Sequence, residues 1–129
     1  MEKKSFQAGE IIYRDGSDGN TMFVINSGRV RVFKTINSEK VELSIIEKGS
    51  FFGEMSLFLG QKRQASIEAV ETVEVTEYDH SSFINAVKND PLMALNIIKT
   101  ISIRLSEAHT HIARLEGEVK MYELSKNHS

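Results

Sequence analysis

In the stretch FFGEMSLFLGQKRQAS, residues 51–66, a single carboxylate stands among apolar neighbours. Glu54 lies between Gly53 and Met55, with Ser56, Leu57, Phe58 and Leu59 close behind. Nine positions after Glu54 comes Arg63, followed by Gln64, Ala65 and Ser66. A buried carboxylate and a buried guanidinium are each costly without a partner. Two arrangements satisfy them: an internal ion pair, or a site in which each holds part of a molecule that binds and leaves.

Other residue types that do chemistry carry less. His109-Thr110-His111 has a metal-ligand look, as in the metal-binding cupins. On a helix, however, positions i and i+2 point to different faces and cannot share one metal, so surface solvation is the expectation for both. The isolated His80 and His128 read as a solvated loop residue and a tail residue. No serine sits in a nucleophile elbow, and no His–Asp–Ser set is motif-like. The chain has no Cys, which removes disulfides, thiolate nucleophiles, iron–sulfur clusters and zinc fingers together.

The whole chain is 129 residues long, 40% hydrophobic and 26% charged, as expected of one globular domain. A net charge of -2 offers no electrostatic footprint for nonspecific nucleic-acid binding. Arg29, Arg31 and Lys34 read as the outward charges of a strand rather than as a basic patch. No apolar run approaches a membrane span, and MEKKSF begins no signal peptide, so the cytoplasm is the expected location.

Two different periods position the candidate residues. Up to about residue 79 the chain is punctuated by Gly9, Gly16, Gly19, Gly28, Gly49, Gly53 and Gly60. Strands are predicted between these at Glu10–Arg14, Thr21–Asn26, Arg29–Lys34, Val41–Glu47, Ala65–Val70 and Val73–Tyr78. Val30 and Val32 alternate with arginines, and Val73 and Val75 alternate with Glu74 and Thr76, which suits half-buried antiparallel strands. Asp15-Gly16 and Ser27-Gly28 read as turns. The expected fold is mainly β with helices (α+β): an antiparallel β-roll or jelly roll over residues 6–79, then a helical segment over 81–124 within one domain. Residues 53–59 lack alternation and are expected to form one inserted helical turn.

Pro91 is expected to open the last helix. There Ile98, Ile101, Leu105, Ala108, Ile112, Leu115, Val119 and Tyr122 follow each other at alternating spacings of three and four, a heptad seam. A helix of about thirty residues spans about 45 Å, longer than a small β domain can cover. Parallel dimerisation through this seam is therefore expected, against the plainer reading that the stripe packs on the chain's own β part.

The ordered set Gly9-Glu10-Ile11-Ile12, Gly16-Ser17-Asp18-Gly19, Val24 through Val30, Gly49 through Ser56, and Arg63 through Ser66 resembles the cyclic nucleotide-binding domain family. This is the fold shared by catabolite-activator-type regulators and the regulatory subunits of cAMP-dependent protein kinase. The resemblance covers nearly the whole chain and identifies residues 51–66 as the phosphate-binding cassette. It implies that Arg63 pairs with the cyclic phosphate, a task suited to a planar guanidinium fork. It implies that amides around Glu54, Met55 and Ser56 share the negative charge. Glu54 would accept the ribose 2′-hydroxyl, and Gly53 would allow close approach of the backbone.

Two positions depart from the family pattern. Gln64 stands where Ser, Thr or Ala is usual, ahead of Ala65. Ala108 and His109 stand where activator-type members place a Thr-Ser pair against the base. Arg104 resembles the helix arginine that lies near the cassette acid. Cyclic AMP, cyclic GMP or a less usual cyclic nucleotide all remain open, with cyclic AMP the first choice as the family's commoner ligand.

The expected protein is a non-enzymatic sensor without a cofactor, its ligand coupling the cassette to the last helix. Its expected partners are a cyclic nucleotide, a second copy of the chain and an effector protein of unidentified kind. The chain stops about where a DNA-binding helix-turn-helix would begin. The rival readings are a ligand-free dimerisation module with a vestigial cassette and a cupin-like metal enzyme.

Overall fold

In the computed structural model, the glycine-punctuated part folds into two four-stranded antiparallel sheets, with residues 1–127 described and His128 outside the described residues. The strands are β1 (Glu2–Phe6), β2 (Ile11–Tyr13), β3 (Met22–Ser27), β4 (Arg29–Ile36), β5 (Glu39–Glu47), β6 (Phe51–Phe52), β7 (Ser66–Ala69) and β8 (Val73–Tyr78). One sheet runs β1-β8-β3-β6 and the other β2-β7-β4-β5. A common core joins them. Phe23, Ile25, Phe52, Val73 and Val75 of the first sheet pack with Val30, Ile67 and Ala69 of the second. This is the mainly β roll expected from the sequence.

All six predicted strands are present with boundaries moved by up to two residues. Two more were not visible in the pattern. β6 has only two residues, too few to show a period. β1 reads EKKSF, without apolar alternation, and is held by pairing along β8, with Lys4 to Glu77 at 2.6 Å and Lys3 to Glu74 at 4.0 Å. The hairpin β4–β5 extends past Lys34 because Asn37 and Ser38 both take positive φ, the two-residue turn that matches strand twist. On β8 the expected outward Thr76 is instead buried, its hydroxyl accepting from Asn26 Nδ2 at 2.8 Å.

The inserted turn is a six-residue helix, α1 (Glu54–Leu59), bracketed by Gly53 and Gly60 in left-handed conformations. Then α2 (His80–Asn89) begins at Asp79, whose carboxylate accepts from the Ser82 amide at 2.8 Å while the Ser82 hydroxyl accepts from the Asp79 amide at 3.0 Å. His80 is thus an exposed helix-opening residue rather than a loop residue. These elements make one compact unit, Met1–Asn89.

The second unit starts at Asp90 and is the helix α3 (Pro91–Asn127), opened by its proline as expected. Its 37 residues correspond to about 55 Å. Ile98, Ile101, Leu105, Ala108, Ile112, Leu115, Val119 and Tyr122 are all exposed in the single chain. No helix among the described residues is long and apolar enough to cross a membrane.

Candidate functional site

Arg63 is the pivot of the first unit. Its backbone is pinned to the turn after β2: the Gly16 amide donates to Arg63 O at 2.7 Å, and the Arg63 amide donates to Ser17 O at 2.9 Å. The side chain then turns inward and is 6% exposed, an unusual burial for a permanently charged group. Nη1 donates to Thr21 O at 2.7 Å and to Gly53 O at 3.3 Å, and Nη2 donates to Thr21 Oγ1 at 3.0 Å. Three of a guanidinium's five N–H donors are so used. Nε–H and one Nη2–H are not engaged by the described residues.

Aromatic rings lie against the group. The guanidinium carbon lies 4.2 Å from the centroid of Tyr13 and 5.7 Å from that of Phe23, within cation–π range. Phe23 in turn stacks on Phe52 at 5.0 Å, so the floor is continuous with the core. Burial pushes the Tyr13 phenol up to about 12, partly opposed by Arg63 and reinforced by Glu54. Tyr13 is therefore neutral at physiological pH and presents its ring, not a charge. Burial also presses Arg63 below an arginine's ordinary value, opposed by negative charge at Glu77. Arginine's intrinsic value is so high that the group stays charged.

Glycine makes this packing possible. A Cβ on Gly19 would stand 2.4 Å from Arg63 Nε, and one on Gly53 would stand 2.8 Å from Nη1. At Gly53, φ is +84° and its carbonyl accepts from the Ser56 amide at 3.2 Å and the Leu57 amide at 3.4 Å, starting α1. Glu54 and Met55 open that helix, half-buried and exposed respectively, and Ser56 is buried behind them. The cassette residues Gly53, Glu54, Met55, Ser56 and Arg63 are thereby gathered around one helix start.

The expected alternatives separate here. Arg63 bonds to Thr21 and Gly53, and no carboxylate among the described residues is in ion-pair range of it. An internal Glu54–Arg63 pair is not what satisfies the arginine. Gln64 is exposed with its amide donating to Gln61, and Ala65 is half-buried. Arg104 and His109 stand on α3 in the second unit, half-buried and exposed. His111 meets Arg114 of its own helix at 3.1 Å, and no group of His, Cys, Asp or Glu among the described residues could hold a metal ion.

Sequence reading missed Tyr13, Thr21 and Glu77. Thr21 and Tyr13 meet Arg63 across 42 and 50 positions of chain, which no local motif reports.

Comparison with known proteins bears on the family and the fold. Residues 3–90 match the family described as "Cyclic nucleotide-binding domain". The cyclic AMP receptor protein of Thermus thermophilus is 30% identical over 119 residues, 92% of this chain and 55% of the receptor. The cGMP-dependent protein kinase egl-4 of Caenorhabditis briggsae is 39% identical over 90 residues, 67% of this chain and 12% of the kinase. Among solved structures, the Thermus thermophilus catabolite activator protein superposes with a TM-score of 0.79 at 29% identity, over 89% of this chain and 55% of that one. The chain thus spans about half of the receptor and a small part of the kinase.

Proposed function

The chain belongs to the cyclic nucleotide-binding domain family, and on that premise we propose that it is a non-enzymatic sensor of cytoplasmic cyclic nucleotide, taking cyclic AMP in preference to cyclic GMP. The observation that carries this reading is Arg63: a buried guanidinium whose described partners are all neutral, with two N–H donors left for an anion. Keeping such a charge out of water is costly unless a counter-charge is supplied, and a cyclic phosphate supplies one. The vestigial-cassette reading needs a Glu54–Arg63 ion pair, and the described bonds of the Arg63 side chain go to Thr21 and Gly53 instead.

In this account the phosphate lies against Arg63 and the start of α1, while Glu54 accepts the ribose 2′-hydroxyl. The occupied state is transmitted to α3 through Arg104 and His109, with Gln64 and His109 tuning the base preference. Occupancy shifts α3 only by the difference in ligand affinity between its two arrangements. The exposed heptad seam supports a homodimer through α3, and an effector protein would read the result.

The ribose end gives a sharp test. Glu54→Gln is expected to weaken cyclic AMP by about tenfold or more, the loss of a charged hydrogen bond, while leaving 2′-deoxy cyclic AMP nearly unchanged. Equal losses for both ligands would remove Glu54 from the ribose.

A further inference from the structure

Arg63 is approached from its far side by a polar chain that the ligand account does not use. Nη2 donates to Thr21 Oγ1 at 3.0 Å, and that hydroxyl donates to Glu77 Oε2 at 2.8 Å. The direction is dictated by chemistry. A guanidinium can only donate, so the single hydroxyl proton of Thr21 must go onward to the carboxylate. Glu77, on β8, is closed off by Lys4 of β1 at 2.6 Å. The Thr21 carbonyl takes Nη1 as well, at 2.7 Å, so this one residue holds both terminal nitrogens of the arginine.

We infer that Thr21 and Glu77 are positioning residues for Arg63, fixing the rotation of its guanidinium so that its two unengaged donors are presented to the ligand phosphate. The inference rests on the cyclic-nucleotide reading of the site. Its physical basis is that a fork donates well to phosphate only in a set plane, and that pre-setting the plane removes an ordering cost from binding. Glu77 makes Thr21 a polarised acceptor, since hydrogen bonds in a chain strengthen one another at low dielectric. Burial raises the Glu77 carboxyl, but the bonds from Lys4 and Thr21 and the charges of Lys4 and Arg63 outweigh it and keep the group ionised. Other buried polar groups are engaged elsewhere. Glu68, for example, is occupied by Arg31 and Lys40 on the other sheet.

The test uses calorimetry on ligand-stripped wild type, Thr21→Val, Thr21→Ser and Glu77→Gln. The ligands are cyclic AMP and its two phosphorothioate diastereomers, which place sulfur on one or the other exocyclic position. Thr21→Val, nearly isosteric, is expected to weaken cyclic AMP about tenfold and to change the affinity ratio of the diastereomers. Thr21→Ser keeps the hydroxyl and is expected to restore both, and Glu77→Gln to fall between. A merely structural role would lower both diastereomers equally. That outcome, or a Thr21→Val protein that matches wild type, overturns the role while leaving the nucleotide reading intact. A wild type that binds none of the three ligands overturns the reading and the role with it. Nitrogen-15 spectra of the Arg63 side chain in ligand-free protein supply a measurement that needs no ligand. Restricted guanidinium rotation in wild type, released in Thr21→Val, is expected, and identical spectra would overturn the relay itself.

Discussion

The guanidinium of Arg63 rests on the backbone of Gly19, so closely that a Cβ there would stand 2.4 Å from Nε and 2.6 Å from Cζ. The neighbour that must move is the end of a side chain, not backbone. Gly19→Ala should therefore displace the guanidinium from Thr21 and Tyr13 while leaving the sheets intact. Cyclic-nucleotide affinity is expected to fall about tenfold or more with stability changed by less than about 1 kcal/mol, read by calorimetry and thermal melting.

Gly53→Ala is expected to behave differently, although it also meets Arg63. Its φ of +84° is one that L side chains rarely adopt, and the added Cβ would stand 3.0 Å from the Thr21 carbonyl. Both binding and stability should fall, the latter by about 1–3 kcal/mol. A Gly53→Ala protein as stable as wild type would mean that the start of α1 rearranges freely.

How much of this was legible in the residues alone differs from place to place. Glu54 and Arg63 were readable because a charge in or beside an apolar segment needs a partner, and Gly53 through the resemblance to the cyclic nucleotide-binding domain family. The valines of β4 and β8 were readable because one of their faces is buried, which leaves a period of two. Thr21 and Tyr13 were not, because a threonine just before a strand and a tyrosine within one look the same whether or not an arginine arrives from 42 or 50 positions away. β1 was hidden because its residues show no apolar alternation and its backbone ladder along β8 leaves no mark in the sequence. The change of period around residue 80 marks the start of the helical segment, and Asp79 and Ser82 are the capping pair found there.

Acid stability follows from Glu68 on the second sheet. The hydrogen bond from Arg31 lowers its pKa below the ordinary 4.5 against the opposing effect of burial, and Lys40 lowers it further. A depressed folded-state value means stabilisation that is present above the unfolded value and lost as pH falls through the folded one. Glu68→Gln should thus lower the melting temperature at pH 7 by about 5 °C and flatten the pH dependence below 4.5. Parallel melting curves for the two proteins down to pH 3 would show that Glu68 titrates unperturbed.

The exposed seam of α3 makes a separate demand. Ile112→Lys would set two ammonium groups against each other at the middle of a parallel pair, where desolvation and repulsion both oppose association. Light scattering is expected to find dimeric wild type and a monomeric variant, with the β-sheet circular dichroism unchanged. A wild type monomeric at tens of micromolar would mean that the stripe serves another purpose.

The central claim is that the buried Arg63 holds the phosphate of a cyclic nucleotide, and titration calorimetry of ligand-stripped protein tests it most directly. Wild type is expected to bind cyclic AMP at one site per chain, and more tightly than cyclic GMP. Arg63→Ala, which removes a desolvated charge-assisted contact worth about 1.5–3 kcal/mol, should lose at least about tenfold of that affinity. No binding of either nucleotide to the stripped wild type, or equal affinities in wild type and Arg63→Ala, would contradict it.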